Sequence, residues 1–200
     1  QEYPPRGLTG YETLVEGHGV FCAYGQVPTD STYLAGWPWW KVFDGDENTA
    51  YHGKDRNYAS TTPFAFNGQT HDVRTKIIGG TEIRGEFVDL KCPYEIVVTS
   101  MKMNPRDGLS TSVYLARMPS QCTFVGSNDG TEYEILSSHS VIVYSGTAPY
   151  STNLTINATK PYKHIRLIIT HLGGNGSDGA GVVNMGHLRF FGTPGPTTLD

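Results

Sequence analysis

Short runs of alternating apolar and polar residues recur along the whole chain, separated by glycine, proline and asparagine. Such alternation is typical of β-strands that bury one face, and the breaks are typical of turns. No window shows the apolar period of about 3.6 residues that predicts an amphipathic helix. The predicted strands are GVFCAYG, GEFVDL, EIVVTSMKM, CTFVGS, YEILSSHS, SVIVYSG, NLTINA, HIRLIITHL and GHLRFFG.

This pattern predicts an all-β protein, namely a jelly-roll β-sandwich of about eight antiparallel strands whose two sheets bury their inward-facing residues. Residues 53–82 are polar and are predicted to form a long excursion between two strands, a common place for a binding site. The chain divides into an N-terminal lead-in (1–17), the sandwich domain (18–192) and a linker-like C-terminal tail (193–200).

Charge and composition exclude several classes of function. The net charge of −4 and the pI near 6.0 give no basic surface for nucleic acid. No apolar stretch is long enough to span a membrane as a helix. The sequence has no H-E-x-x-H, G-x-S-x-G or GK[ST] motif, and its histidines are dispersed. We therefore expect a protein that is not an enzyme.

The N-terminal residue and three glycosylation sequons indicate an extracellular protein. The first residue is Gln1, which suggests that a signal peptide has been removed. Sequons begin at Asn153, Asn157 and Asn175. In STNLTINATK the alternation places Asn153 and Asn157 on one strand face, which we expect to face solvent. The predicted location is a cell surface, an extracellular filament or a virion surface.

The segment WPWWKVFDGDENTAYHG (37–53) admits two interpretations. Asp44, Asp46 and Asn48 occupy alternate positions, as do oxygen ligands in a calcium loop. An EF-hand is excluded because Thr49 stands where its sharp bend takes glycine. The alternative is an Asp-Gly turn whose carboxylate caps its own backbone.

Five segments of the chain resemble, in order, the signature segments of the discoidin-like family: PWWKVFDGDENTAYHG, GEFVDLKCPYEIVVTSMKM, FVGSNDGTEYEIL, YKHIRLIITHLGG and NMGHLRFFG. That family includes coagulation-factor C-type domains, discoidin lectins and family 32 carbohydrate-binding modules. The resemblance covers residues from about 18 to 192. It implies a sandwich of the galactose-binding-domain type that is non-catalytic and binds ligands through loops at one end.

The resemblance also implies ligand residues. It nominates His52 and Arg106, with Asn104, as hydrogen-bonding groups for a sugar, because such groups match vicinal hydroxyls. The stacking ring would come from Tyr33, Trp37 or Trp39, whereas Trp40 and Phe43 are expected in the core.

For a structural calcium ion, the resemblance nominates the Lys41 carbonyl, the Asp44 and Asp46 carboxylates, and the Thr49 carbonyl and hydroxyl. All are oxygen donors that suit Ca²⁺. However, His187 stands where the family has a carboxylate, and imidazole is a poor calcium ligand. Calcium binding and an ion-free turn therefore both remain open.

The three cysteines are too few for a disulfide scaffold or a zinc site. They are either three buried apolar side chains or one bridge with an odd thiol. If one bridge forms, we expect Cys92 to pair with Cys122, since both lie near predicted strand ends. The odd thiol, Cys22, would then be available to link another chain.

The leading hypothesis for function is a secreted, glycosylated lectin-like module that binds carbohydrate, glycoproteins or glycosylated surfaces, as in cell adhesion. The alternative is a structural glycoprotein subunit of an extracellular filament, appendage or virus surface, in which the same fold mediates assembly with itself or other chains. Membrane lipid is disfavoured as a partner because the chain is acidic.

Overall fold

The structure is a computed structural model that describes residues 1–25, 36–106, 111–148, 150–175 and 181–196. Within these ranges lie thirteen strands, one 3-10 helix and one short α-helix. They are β1 (Glu2–Tyr3), β2 (Glu12–Val15), β3 (Gly19–Gly25), η1 (Trp39–Phe43), β4 (Tyr51–His52), β5 (Arg74–Ile77), β6 (Thr81–Arg84), β7 (Glu86–Asn104), α1 (Thr111–Ala116), β8 (Pro119–Ser127), β9 (Glu134–His139), β10 (Thr152–Thr155), β11 (Tyr162–Leu172), β12 (Asn184–Met185) and β13 (His187–Pro194).

The long strand β7 belongs to both layers of the sandwich. Its first part pairs with β3 and β11, which gives a larger layer in the order β2-β3-β7-β11-β8-β9. Its second part pairs with β10 and β13, which gives a smaller layer in the order β10-β7-β13-β1. All these pairings are antiparallel.

β7 changes layer at an irregularity around Pro93. On β11, His164 pairs with Lys91 of β7, and Tyr162 pairs with Ile96. Two residues along β11 therefore correspond to five residues along β7. The extra β7 residues form a bulge, which bends a strand. Proline suits this position because it cannot donate a ladder hydrogen bond. Because of this bend, the last residues of β7 lie at the same end of the sandwich as its first residues.

The two layers enclose one large apolar core. Phe124 from β8 and Phe190 from β13 are fully buried, with ring centroids 6.4 Å apart, so the larger layer contacts the smaller one directly. Phe43 from η1 packs on Phe190 at 6.3 Å. The predicted all-β sandwich is confirmed, and Phe43 is buried as expected. No helix of the described residues is long and apolar enough to span a membrane.

Several predicted boundaries differ from the structure. Residues 1–17, predicted as a lead-in, contribute β1 and β2 to the sheet. GEFVDL and EIVVTSMKM, predicted as two strands, are both part of β7. SVIVYSG is not assigned as a strand, although it alternates. Ile142 donates its backbone N–H to Ser120, while Val141 and Val143 face solvent.

The polar excursion does not remain an extended loop. Its second half forms the β5–β6 hairpin, which bonds to the segment before β9: Ile78 and Tyr133 are joined through backbone N–H and C=O groups at 2.9 Å. Ile77 and Tyr133 pack with Val125 and Ile168 in a small second cluster on the larger layer. The hairpin therefore covers part of the outer face of that layer.

Beneath this cover lies a network of buried polar side chains, which we call the Asp89 network. The Asp89 carboxylate, with no exposed surface, accepts hydrogen bonds from Arg166 Nε (2.9 Å) and the Tyr133 hydroxyl (2.7 Å), and its other oxygen lies 3.0 Å from His164 Nδ1. The Arg166 guanidinium also lies between two rings, 3.7 Å from the Phe87 centroid and 4.1 Å from that of Tyr133. A charge this deep is retained only because it is fully paired.

The predicted bridge between Cys92 and Cys122 is not formed. All three cysteines are free and buried. Strand β11 separates the pair: Cys122 pairs with Ile169, whereas Lys91, beside Cys92, pairs with His164. The two are therefore roughly 16 Å apart along the strands and about 10 Å across them, while a disulfide needs Cα atoms within about 7 Å. Burial raises the pKa of both thiols.

The first and last described residues lie together at one end of the sandwich. The amino group of Gln1 donates to the Gly192 carbonyl at 2.9 Å, and Gly195 donates to Glu95 at 2.8 Å. At the other end of β13, His187 pairs with Asn104. The loops that follow β4 and β7 lie at that second end, opposite the N-terminus.

Candidate functional site

Three of the predicted ligand residues come together at the loop end of the sandwich. His52 lies on β4, pairs across to Asn184 on β12, and donates its backbone N–H to the Trp37 carbonyl at 3.1 Å. The His52 and Trp37 rings lie 5.9 Å apart, and the Arg106 guanidinium lies 5.3 Å from the Trp37 ring centroid. We call Trp37, His52 and Arg106 the His52 cluster.

Trp37 has a supporting function in this cluster. Arg106 is held over the indole by a cation–π contact. One face of the ring is therefore covered by the guanidinium, and the role of Trp37 as the ring that stacks on a sugar stays a prediction. The arrangement orients Arg106, whose planar group presents hydrogen-bond donors in a fixed geometry.

His52 is held in one tautomer. Its Nδ1 lies 2.9 Å from the Gly53 carbonyl, which only accepts, so Nδ1 carries the proton and Nε2 is a hydrogen-bond acceptor. Burial lowers the pKa of His52, and the charges of Arg117 and Arg106 lower it further, against opposing contributions from Gly53 and Asp55. At neutral pH the cluster thus presents an imidazole acceptor beside a guanidinium donor.

Asn104 lies at the base of the cluster and is largely buried. Its backbone carbonyl accepts the backbone N–H of Gly186 at 3.0 Å. Gly186 packs directly on the Pro105 carbonyl and Arg106, where a side chain has no room. Alanine at Gly186 would therefore displace the segment that carries Arg106.

A buried carboxylate supports the loop after His52. Glu86 begins β7 and has no exposed surface. Its Oε1 accepts the backbone N–H of Lys54 (3.1 Å) and the side-chain amide of Asn57 (2.8 Å). The side-chain oxygen of Asn57 in turn accepts hydrogen bonds from Thr70 and His71. Asn57 therefore connects the two halves of the excursion.

Sequence reasoning missed three residues of this region: Glu86, Arg117 and Asn184. Arg117 is close enough to lower the pKa of His52. Asn184 is 1% exposed, and neither atom of its side-chain amide bonds to a described residue. Buried amides without a partner are rare and call for an explanation. Glu86 and Asn184 lie within two of the segments that carry the resemblance, whereas Arg117 lies outside all five. The resemblance assigned no role to any of the three.

The other predicted aromatic residues lie apart from the cluster or outside the described residues. Trp39 donates its indole N–H to the Ala23 carbonyl (3.1 Å) and packs against Tyr11 and Gly25. Trp40 is half-buried against the core, as expected. Tyr33 lies outside the described residues, so its predicted role remains a prediction.

In the predicted ion loop, the carboxylate oxygens accept hydrogen bonds from other residues of the same loop. Asp44 accepts the Asp46 backbone N–H (2.8 Å) and the Thr49 hydroxyl (2.6 Å), and Asp46 accepts the backbone and side-chain N–H groups of Asn48, both at 2.9 Å. The Lys41 carbonyl faces the Asp44 N–H at 3.4 Å. Burial raises the pKa of Asp44, whereas the Asn48 backbone N–H lowers that of Asp46.

These residues do not fit the calcium site that the resemblance implies. Where a carboxylate is expected, His187 is buried against the cation Arg189, whose Nε lies 3.2 Å from the His187 ring. Arg189 also reaches Glu2 (3.4 Å) and Glu47 (4.0 Å). No group of three or more His, Cys, Asp or Glu among the described residues could hold a metal ion.

His187 gives the protein a specific response to acid. Burial and the Arg189 charge lower its pKa to about 4, against about 6.5 in an unfolded chain. Between these pH values only the unfolded chain binds the proton, so the free energy of unfolding falls as the pH falls, by at most about 1.4 kcal/mol per pH unit. In the variant His187→Asn, we expect the denaturation midpoint to vary less with pH between pH 6.5 and pH 4 than it does in the wild-type protein. An unchanged slope would assign the acid response to other groups.

A wider cleft of about 640 Å³ lies at the opposite end, beside Gln1. Its polar side chains include His18 and Tyr94. His18 Nδ1 and the Tyr94 hydroxyl lie 2.7 Å apart and satisfy each other.

The alternation predicted for STNLTINATK is present. Asn153 and Asn157 are exposed, and Leu154 and Ile156 face inward. β10 pairs only with β7 and is an edge strand, so both asparagines are accessible. The sequon at Asn175 extends into 176–180, outside the described residues.

Comparisons with solved structures identify the same fold in carbohydrate-binding and F5/8 type C domains. The module CpGH89CBM32-5 of Clostridium perfringens, in complex with GalNAc-β-1,3-galactose, is 16% identical (TM-score 0.53; 86% of this chain, 94% of that one). The family 32 module of C. perfringens NanJ, in complex with galactose, is 11% identical (0.52; 85% and 92%). An F5/8 type C domain from Bacteroides fragilis is 10% identical (0.55; 92% and 98%).

The chain thus has the discoidin-like fold, as its segments indicated. At these identities the likeness concerns the fold alone. No protein-family model matches the sequence, and a search of curated proteins finds no match.

Proposed function

We propose that the chain is a non-catalytic carbohydrate-recognition module that binds a sugar at the His52 cluster. The observation that carries this proposal is that His52, an imidazole whose Nδ1 is bonded to Gly53, and the Arg106 guanidinium both lie against the Trp37 ring at the loop end. The proposal is supported by the fold shared with modules whose structures contain galactose or GalNAc-β-1,3-galactose.

The chemistry of recognition follows from these two groups. A sugar hydroxyl donates to His52 Nε2 while a neighbouring hydroxyl accepts from Arg106, so the pair reads the spacing of vicinal hydroxyls. Because the tautomer and the guanidinium are already oriented by Gly53 and Trp37, little conformational entropy is lost on binding. The expected affinity per site is modest, and several tethered copies would raise it by avidity.

Alanine at His52 or Arg106 tests the proposal. Each variant should lower the affinity for the sugar at least about tenfold, and the double variant should abolish detectable binding. The measurement is a glycan-array screen followed by calorimetric titration of the best ligand. His18→Ala and Arg6→Ala, which change the same residue types elsewhere, should bind normally. Unchanged binding by the double variant, with an intact circular dichroism spectrum, would refute the site.

The pH dependence gives an independent check of the tautomer. Protonated His52 has no acceptor at Nε2, and its pKa is lowered by burial. Affinity should therefore stay level as the pH falls to about 6.5, the ordinary histidine value, and decline only below it. A loss of affinity that already begins above that pH would argue against this geometry.

Chelation tests the expectation of calcium. We propose that Arg189 and the internal hydrogen bonds of residues 44–49 hold this loop without an ion. Binding and thermal stability should then be the same in excess calcium and in excess chelator. A drop in melting temperature on chelation would restore the calcium site built on Lys41, Asp44, Asp46 and Thr49.

An extracellular, glycosylated state is part of the proposal. The exposed positions of Asn153 and Asn157 support glycan attachment there. Secretion from a eukaryotic cell should yield protein whose mass falls on treatment with a peptide N-glycosidase.

A structural assembly subunit is the second candidate. It is favoured by exposed apolar residues on both open edges of the larger layer: Leu14 and Val20 on β2 and β3, and Ile135, Val141 and Val143 on and after β9. Exposed edges of this kind promote pairing between chains. Sedimentation of the secreted protein distinguishes the candidates, because a monomer at high concentration would exclude this one.

A further inference from the structure

A polar cleft of about 390 Å³ lies in the excursion that follows His52. It is lined by Arg56, Tyr58, Ala59, Ser60, Thr61, Asn67 and Gln69. Its lining contains a guanidinium, hydroxyls and amides but no carboxylate, so it offers mainly hydrogen-bond donors and neutral acceptors. This composition suits a hydroxyl-rich ligand.

Four of the lining side chains are not used by the fold. Arg56, Ser60, Thr61 and Gln69 make no side-chain hydrogen bond to any other residue that the structure describes. The neighbouring Asn57 and Asn67, by contrast, are bonded within the protein. Asn57 and Asn67 thus hold the loop in place, while the four exposed side chains that line the cleft keep their polar groups available to a ligand.

The backbone at Arg56 is in an unusual conformation. Its φ of 64° lies in the left-handed region, which a long side chain rarely adopts. Strained residues of this kind persist where the surroundings fix them, and they cluster at ligand sites. Here the next residue, Asn57, is fixed by Glu86, Thr70 and His71.

One segment connects this cleft to the His52 cluster. Residues 181–184 run beside the loop after β4: Asn184 pairs with His52, Val183 accepts the Gly53 N–H (2.9 Å), and Gly181 accepts that of Tyr58 (3.2 Å). Three residues span at most about 10 Å. The cleft therefore begins within reach of an oligosaccharide whose terminal unit occupies the His52 cluster.

We propose that this cleft, which we call the Arg56 cleft, binds a further unit of the same oligosaccharide. The inference rests on the proposed function of the His52 cluster and extends it from one terminal sugar to a longer glycan. Arg56 and Gln69 donate to hydroxyl or ring oxygens of the inner unit, and Ser60 and Thr61 complete the polar lining.

The test is a calorimetric titration of the whole chain with galactose, lactose and the tetrasaccharide lacto-N-neotetraose, which share a terminal galactose. Wild-type protein should bind the tetrasaccharide at least about fivefold more tightly than galactose, the effect of one added hydrogen bond. Arg56→Asn removes the guanidinium and keeps a residue that tolerates positive φ, and Gln69→Leu removes the amide at similar size. Both should remove the advantage of the tetrasaccharide and leave galactose binding unchanged. Arg6→Asn is the matched control.

The outcomes separate this inference from the function on which it rests. Equal affinity for galactose and the tetrasaccharide, or an undiminished advantage in both variants, would overturn the Arg56 cleft while His52-dependent galactose binding stands. If none of the three saccharides binds, the proposed function and the cleft fail together. Tetrasaccharide binding that persists weakly in His52→Ala and depends on Arg56 would support the cleft directly.

Discussion

Replacing Asp89 by asparagine is expected to lower the free energy of unfolding by about 3–5 kcal/mol, because it leaves a buried guanidinium without its counter-ion. The substitution keeps the shape of the side chain, so the loss comes from charge and not from a cavity. Arg166 would remain between the Phe87 and Tyr133 rings with only 11% of its side chain exposed. Chemical denaturation at neutral pH measures the effect.

Two further variants define the cause of that loss. Asp72→Asn makes the same chemical change in an exposed ion pair with Arg74 and Arg84, and it should have a much smaller effect. The double variant Asp89→Leu, Arg166→Met removes both charges and should recover part of the stability. If the double variant is less stable than Asp89→Asn, the network contributes through its hydrogen bonds and not through charge balance.

Asn57→Asp is the second substitution with a large expected effect. It places a carboxylate where an amide now donates to Glu86 at 2.8 Å, with no exposed surface on either residue. Two carboxylates this close cannot both be ionised, so the pair takes up a proton at a cost of about 3 kcal/mol at pH 7. We expect the variant to be strongly destabilised at neutral pH and to recover partly near pH 5, measured by denaturation at both pH values.

Asn67→Asp provides the matched control for this substitution. Asn67 lies in the same excursion, is exposed, and uses its side-chain oxygen to accept the Gln69 N–H, which a carboxylate also accepts. It should leave stability and its pH profile nearly unchanged. A destabilisation of Asn57→Asp that does not vary with pH would show that lost hydrogen bonds, and not carboxylate repulsion, dominate.

The strands were predictable because burial in a sandwich has the period of the strand itself. GVFCAYG coincides with β3, and the NLTINA alternation places Asn153 outward and Ile156 inward. The same rule fails at SVIVYSG, where Val141 and Val143 alternate with inward residues and Ile142 bonds to Ser120, yet the segment does not form a strand. Alternation indicates which side chains of a segment face the core, but it does not establish that the segment pairs as a strand.

The Asp89 network and the β5–β6 hairpin could not be predicted from the sequence. Asp89 and Arg166 occupy outward positions on their strands, where charged residues normally meet water. Only the tertiary position of the excursion, which covers them, makes these charges buried. The pairing of Cys92 with Cys122 failed for a related reason, since the order of strands in the sheet places β11 between them.

The site was predictable in part. The resemblance placed His52 and Arg106 on loops that the fold brings to one end, and they meet over Trp37. Two supporting residues, Glu86 and Asn184, lie in segments that carry the resemblance but received no role from it, so their burial and packing identify them. The Arg56 cleft lies in the excursion 53–82. The length and polarity of that segment predicted a binding site there, but they did not indicate which residues form it.

The adjacency of the first and last described residues has a practical consequence for protein engineering. Gln1 bonds to Gly192, while the turn at Gly146–Thr147 is exposed and outside every strand. A circular permutant that joins Gln1 to residue 196 through a short flexible linker and opens at Gly146 would keep the strand pairings of the described residues. Its new termini would provide a second attachment point for a reporter or a surface, so the recognition end could be presented in a different orientation.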